Sequence, residues 1–255
     1  MPSFRLLIPA LFALALCGAP MSASAQSFND TQRGDIEKIV REYLIAHPEV
    51  LEEAMNELSK RQAAAEAAKH ASGVADNADA IFNSPRNVTL GNKDGDVTFV
   101  EFFDYNCGYC KRAMTDMMDL MKADPKLKVV LKEFPVLSAG SVEAAQVAVA
   151  VRMQDPTGKK YLDFHQKLLG GRGQADKARA LAAAKDLGLD MAKLEKDMTS
   201  PEAKATSEEN FKLAEAMGMN GTPSYVIGKQ IVVGAVGFDG LKEKISQARC
   251  GKVTC

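Results

Sequence analysis

The chain has 255 residues, enough for one large domain or two smaller ones with an ample core. Its 32 Lys and Arg stand against 33 Asp and Glu, and no basic stripe with interleaved aromatics occurs, which argues against a nucleic-acid partner. Beyond residue 26 no apolar stretch is long enough to span a membrane, so composition predicts a soluble, globular protein and nothing more specific.

The first 26 residues read MPSFRLLIPALFALALCGAPMSASAQ. Arg5 precedes an apolar run from Leu6 to Leu16, and Ala23-Ser24-Ala25 supplies small residues ahead of Gln26. This is the layout of a secretory signal peptide over residues 1–25, and it predicts export. Leu14-Ala15-Leu16-Cys17 loosely resembles a lipoprotein box, but Leu16 is bulky where a small residue is wanted, so lipid anchoring at Cys17 is not expected. Cleavage would leave Cys107, Cys110, Cys250 and Cys255, an even count suited to disulfide chemistry in an exported protein.

Residues 26–80 read as a helical segment with a linker. Ile36, Ile39, Val40, Tyr43 and Leu44 share one helical face. Pro48 disfavours helix at His47 and fits the first turn of a second helix, on which Leu51, Met55, Leu58, Gln62 and Ala65 recur at steps of four and three. So narrow a pair has too little core to stand alone. It either docks on its own domain or forms a self-association stalk over residues 30–72 with the apolar seam facing other subunits. Ala71 to Ala80 reads as a linker or a fraying helix end.

From Ile81 the pattern changes. NVTLG and DVTFVEFF are strand-like runs separated by NKDGD. CGYCKRAMTDMMDLMKAD has helical period through Met114, Met117, Met118 and Met121, which core packing explains better than copper binding. LKVVLKEFPVL is a further strand. Ser138 to Met217 reads as several short helices with breaks near Gly170-Gly171, Gly188 and Ser200-Pro201. SYVIG and QIVVGAV return as strands, and FDGLKEKISQAR closes as an amphipathic helix. A parallel β–α–β start followed by a hairpin and a last helix is the layout of an α/β thioredoxin fold. The fold class expected is therefore a thioredoxin domain (81–137 and 218–249) with an inserted helical domain (138–217), preceded by the helical stalk and followed by a tail (250–255).

Cys107 falls at a strand–helix junction, where unpaired N–H groups and the helix dipole stabilise a thiolate, with Asn106 or Asp104 available to help cap the helix. Cys110 lies one turn further in. Cys107 would then exchange with substrate and Cys110 would resolve the mixed disulfide. Two competitors are a four-thiolate metal clamp that recruits Cys250 and Cys255 at an unusual spacing, and a static crosslink whose ring closes almost no loop. An oxidising compartment and the strand–helix placement favour the redox couple. A Cu(I) site on the same two thiols is a rival of a different class, and a non-enzymatic surface scaffold is a third.

Glu101 is the only charge between Val97 and Phe103. A central strand would bury it beneath the cysteines, where a raised pKa suits proton exchange with Cys110; an exposed face would leave it in solvent. Thr222-Pro223 stands just ahead of a strand, as an ordinary trans turn or as a cis bond that presents the Thr222 backbone to an extended substrate. Cys250 and Cys255 could close a small disulfide, crosslink subunits or stay free. His47, His70 and His165 read as packing or surface residues.

EFFDYNCGYC, the EFP after the third strand, the helical insertion and GTPSYVIG together resemble the DsbA-like thiol–disulfide oxidoreductases of bacterial envelopes, over roughly Ile81 to Gln247. The resemblance implies a thioredoxin fold with Cys107 as nucleophile and Cys110 as resolving thiol, Glu101 as the buried acid, and Thr222-Pro223 as the cis-proline loop facing them. EKIVREYLIAHPEVLEEAM is similar to the leading segment of the ScsC-like and Com1-like branch, whose ScsC-like members can trimerise through it and act as isomerases. Gly108-Tyr109 departs from the Pro-His of the oxidising DsbA type and matches the dimeric DsbC-type isomerases. The resemblance implies no cofactor and no metal. It implies a periplasmic location, a homo-oligomer, misdisulfided or unfolded exported proteins as substrates, and a membrane thiol–disulfide redox partner.

Overall fold

The computed structural model describes residues 28–255; the export signal read over residues 1–25 and Cys17 lie outside the described residues. The chain divides into two compact units between Leu58 and Ser59.

In the first unit, helix α1 (Asp30–Ala46) is opened by a reciprocal cap: Asn29 Oδ1 accepts the Gln32 N–H at 2.9 Å, and Gln32 Oε1 accepts the Asn29 N–H at 3.0 Å. It ends at His47, one residue before Pro48, and α2 begins at Glu49. No residue of α1 is buried. Ile39 is 64% exposed and Val40, Tyr43, Leu51, Met55 and Leu58 are exposed as well.

Helix α2 runs Glu49–Asp76, and a short α3 (Ala78–Phe82) follows. The stretch from Ala71 to Ala80 is therefore helix almost throughout. Its Val74 and the adjacent Ile81 are fully buried core residues, which is why it cannot serve as a free linker. The domain that carries the cysteines thus begins earlier than residue 81.

Five strands form one sheet in the order β1-β3-β2-β4-β5. They are β1 (Val88–Gly91), β2 (Val97–Phe103), β3 (Leu127–Glu133), β4 (Ser224–Ile227) and β5 (Gln230–Val233). Only β2 and β3 pair in parallel, joined by α4 (Gly108–Ala123); β1 with β3, β2 with β4 and β4 with β5 are antiparallel. Both central strands are buried along almost their whole length, Glu101, Lys132 and Glu133 included, because both sheet faces are covered.

The two-residue pleat sorts the side chains between two cores. Phe99, Phe103, Val129, Leu131, Tyr225 and Ile227 face α4, α10 (Gly237–Cys250) and the helices α5 (Ala139–Gln154), α6 (Lys159–Gly170), α7 (Lys177–Asp186) and α8 (Met191–Asp197). Val100, Phe102, Val130 and Val226 face the other way, onto Val74, Ile81 and the end of α9 (Pro201–Ala216), where Leu213 and Ala214 pack. Residues 138–217, expected as one inserted domain, are therefore shared between the faces: α5 to α8 cover one and α9 the other. Lys132 fastens the second face, with its buried Nζ donating to the Ala80 carbonyl at 3.0 Å and to Asn87 Oδ1 at 2.7 Å. Among the described residues no helix is long and apolar enough to cross a membrane.

Candidate redox site

Strand β2 ends at Phe103, and the four residues that follow build the entrance to α4. The Asp104 carboxylate accepts N–H bonds from Asn106 (2.7 Å) and Leu137 (3.0 Å), while the Asp104 carbonyl accepts the Cys107 N–H at 3.0 Å. Cys107 is itself the N-cap of α4, and its Sγ accepts the Cys110 N–H at 3.3 Å. The helix is thus capped by the sulfur rather than by Asn106 or Asp104. Asn106 instead reaches sideways: Nδ2 donates to Ser141 Oγ and to the Ala175 carbonyl, both at 2.9 Å, and Oδ1 accepts the Ala175 N–H at 2.7 Å. It clamps the cysteine loop to α5 and to the segment after α6.

Both thiols are free, and Cys110 is fully buried. The Cys107 thiol donates to the Thr222 carbonyl at 3.2 Å. The Thr222-Pro223 peptide is cis, and the Pro223 carbonyl accepts the Gly234 N–H at 2.8 Å, which ties this loop to the end of β5. The hydrogen bond from the Cys110 side chain, helped by Thr222 and then by the N–H groups of Cys110 and Tyr109, outweighs burial and brings the Cys107 thiol down to about 6. Burial, then the bond to Cys107, drives the Cys110 thiol the opposite way, far above the ordinary range.

Glu101 lies on the same sheet face, 1% exposed, in register with Tyr225 of β4 two residues beyond Pro223. Its Oε2 has no hydrogen-bond partner among the described residues. Burial, then the charge at Cys107, pushes its carboxyl up to about 8, and Glu101 in turn raises Cys110. The fold therefore brings Cys107, Cys110, Glu101, Thr222 and Pro223 to one place. It sets Cys250 and Cys255 elsewhere: Cys250, the last residue of α10, is bonded to Cys255 in the tail with Sγ–Sγ 2.12 Å. A closed disulfide there cannot supply the second half of a four-thiolate clamp.

A buried polar group beside the cysteine loop escaped sequence reasoning. The Tyr105 hydroxyl donates to the Tyr161 hydroxyl at 3.4 Å, and Tyr161 donates to Glu133 Oε1. Burial raises the Glu133 carboxyl to about 8 and lowers His165 to about 3, so the imidazole is neutral. His165 packs 4.5 Å from the Phe103 ring and 5.6 Å from the Tyr105 ring, centroid to centroid. Only the aromatic density of FFDY and YLDFH hinted at this cluster, and nothing in the spacing pairs residues 28 or more apart.

A five-stranded sheet with a parallel β–α–β centre, a reduced Cys-x-x-Cys pair at the head of the crossover helix and a cis-proline loop opposite define a thioredoxin-fold dithiol protein. The model of the DSBA-like thioredoxin domain matches residues 98–246, and the chain belongs to that family, the DsbA-like thiol–disulfide oxidoreductases. The Copper resistance protein ScsC N-terminal domain matches residues 32–65. A thioredoxin-like oxidoreductase from Silicibacter pomeroyi is 43% identical, covering 67% of this chain and 96% of its own, at TM-score 0.64. Proteus mirabilis ScsC in a transitional conformation is 30% identical, covering 88% of this chain and 98% of its own, at TM-score 0.64. Disulfide bond formation protein D of Bacillus subtilis is 28% identical over 64% of this chain and 77% of its own length. The chain also spans 25% of the length of the Na(+)/H(+) antiporter NhaA 1 of Salinispora arenicola, at 22% identity.

Proposed function

We propose that this protein is a periplasmic thiol–disulfide interchange enzyme that rearranges wrong disulfides in exported proteins. The observation that carries the reading is the division between two free thiols three residues apart. Cys107 has its pKa lowered to about 6 at the helix cap, and Cys110 is held protonated by burial. At neutral pH the Cys107 thiolate attacks a substrate disulfide, forming a Cys107–substrate bond and releasing the other substrate sulfur as a thiolate. In isomerisation that freed thiolate attacks a different disulfide, and a substrate thiolate finally displaces Cys107. When this stalls, Cys110 gives its proton to the ionised form of Glu101, the minor form at neutral pH, and displaces the substrate as a thiolate, leaving the Cys107–Cys110 disulfide for a membrane redox partner to reduce.

Isomerase is favoured over oxidase by Gly108-Tyr109 between the cysteines and by the apolar N-terminal residues left exposed in the single chain. Tyr109 is 59% exposed beside Cys107, with the Arg112 guanidinium 4.8 Å from its ring centroid. A stalk that gathers several copies would keep their thiols reduced by excluding the enzymes that oxidise monomeric oxidases. Unscrambling of misbridged ribonuclease, measured beside dithiol peptide oxidation on the full chain, tests the reading. Unscrambling is expected to dominate; strong peptide oxidation without it would make the protein an oxidase. Tight Cu(I) binding by the reduced protein with negligible turnover in both assays would replace both readings by a copper-binding role.

A further inference from the structure

Beside Cys107 lies an open cleft of about 590 Å³. Leu137, Leu168 and Leu169 supply its apolar wall, and Lys111 and Arg172 are its charged lining residues; no Asp or Glu lines it. Acids near the segments that line the cleft are already engaged, Glu133 by Tyr161. Asp104 accepts two N–H groups inside the cysteine loop, Asp176 caps α7 by accepting the Arg179 N–H at 2.9 Å, and Glu143 accepts the Lys177 N–H at 3.2 Å.

The turn that carries Arg172 is firmly mounted. Lys111 Nζ donates to the Gly171 carbonyl at 2.8 Å, and Arg179 Nη1 donates to the carbonyls of Arg172 and Gly173, the latter at 2.8 Å. Asn106 holds Ala175 through both of its backbone groups. Gly173 takes φ +83°, where a side chain is disfavoured, and a Cβ on Gly171 would collide with the Arg179 guanidinium. Arg172 itself is exposed and has no ion-pair or hydrogen-bond partner for its side chain among the described residues. An unpaired cation on a firmly held turn, in a cleft at the reactive sulfur that no Asp or Glu among the described residues lines, is suited to recognition, because none of the described residues neutralises it.

We propose that this cleft receives segments of exported proteins in which carboxylates flank the disulfide under attack, with Arg172 as the specificity-determining residue and Lys111 as its support. The inference rests on the interchange reading above. The covalent step is unchanged: the Cys107 thiolate bonds to one sulfur of the flanked disulfide, the other leaves as a thiolate, and no further oxidant or reductant enters.

The test uses reduced full-length protein and three disulfide peptides of equal length, flanked by Glu, by Lys or by Ser, with glutathione disulfide as a small anionic comparator. The readout is the ratio of second-order rate constants for mixed-disulfide formation. Glu-flanked peptide is expected to react about threefold to fivefold faster per carboxylate than the Lys-flanked one at low salt. The ratio should collapse at 0.5 M salt, invert in Arg172→Glu and persist in Arg172→Lys. A ratio near one, or one that Arg172→Glu leaves intact, overturns the inference while reaction of the Ser-flanked peptide keeps the interchange reading. Charge dependence confined to glutathione disulfide overturns the protein-segment occupant. Failure of every disulfide to react overturns both readings.

Discussion

The Cys107 sulfur lies 3.2 Å from the carbonyl oxygen of Thr222, a residue 115 positions further along the chain. That carbonyl accepts a bond only from the thiol form. When Cys107 ionises, that bond is lost, and in the interchange reading proposed above the freed Thr222 carbonyl would take a backbone N–H from an extended substrate. In that reading one deprotonation would both activate the nucleophile and free the acceptor.

Thiolate absorbance at 240 nm should therefore titrate in the reduced protein with a midpoint near 6, the value to which Cys107 is lowered. Cys110→Ala removes the largest contribution to that lowering and should move the midpoint upward. The sign for stability follows from linkage. The folded pKa of about 6 lies below the thiol's ordinary 9.0, so the contribution is complete above 9 and is lost as pH falls through 6. The unfolding free energy of reduced wild type minus that of Cys107→Ala should decline from pH 9 to pH 6 and be flat below. A difference that is flat across the whole range would show that the thiolate is not specifically stabilised.

Glu101 works in the opposite sense. Its carboxyl is raised from 4.5 to about 8 by burial, so the folded state prefers the neutral acid and stability falls as pH rises through 8. Glu101→Gln keeps the shape without the charge. The gain in stability should grow from about pH 5 to about pH 8 and level off there at roughly 5 kcal/mol. The same substitution removes the proton acceptor for Cys110 and should slow resolution of a Cys107 mixed disulfide roughly 10–100-fold. Quenched-flow trapping of the mixed disulfide reads the second effect, and urea unfolding across pH reads the first. Resolution at the wild-type rate would remove Glu101 from the chemistry.

Much of this was legible because the informative signals are local. DVTFVEFF and LKVVLKE announce themselves as strands, and a Cys-x-x-Cys directly after a strand places a sulfur at a helix start. The two cores were not legible. Periodicity says that Thr206, Asn210 and Leu213 share a face of α9 and that Ala144, Val147 and Val151 share one of α5, but not that these helices cover opposite sides of the sheet. Val74 and Ile81 sit in a polar, Ala-rich context that resembles a linker until Lys132 is seen to gather the Ala80 carbonyl and Asn87. Local sequence offers Asn106, like Asp104, as a cap, but its partners Ser141 and Ala175 lie 35 and 69 residues away, separations that no motif encodes.

Asn106 supplies the third test. Asn106→Ala removes three short bonds and leaves both backbone groups of Ala175 without their partner. A cost of about 2–3 kcal/mol is expected for the buried groups left unpaired. Because the clamp joins the cysteine loop to the turn carrying Arg172, the change should also loosen residues 171–175. Hydrogen exchange at the Ala175 amide should quicken by more than global destabilisation explains, while exchange in the β2–β3 centre tracks the global change alone. Equal protection at Ala175 in both proteins would mean that the turn is held by Lys111 and Arg179 without Asn106.

The N-terminal helix gives the last test. Ile36, Ile39, Val40 and Tyr43 repeat at the spacing of one helical face, and α1 buries none of its residues within the chain. A 17-residue helix without tertiary packing is marginal by itself, even with the Asn29 cap. If the seam is covered by other copies, as we propose, Ile39→Asp places a charge in an apolar interface. The monomer has nothing to lose there, so the unfolding transition of the cysteine-bearing domain should change by less than about 0.5 kcal/mol. Sedimentation velocity should instead show the oligomer dissociating at concentrations where wild type stays assembled, a shift of at least about tenfold in the midpoint. Unscrambling of ribonuclease should fall with the oligomer while peptide disulfide exchange at Cys107 persists, because the second needs one active site and the first needs several around one substrate. Unscrambling that survives dissociation unchanged would separate the isomerase chemistry from the stalk and leave α1 with another role.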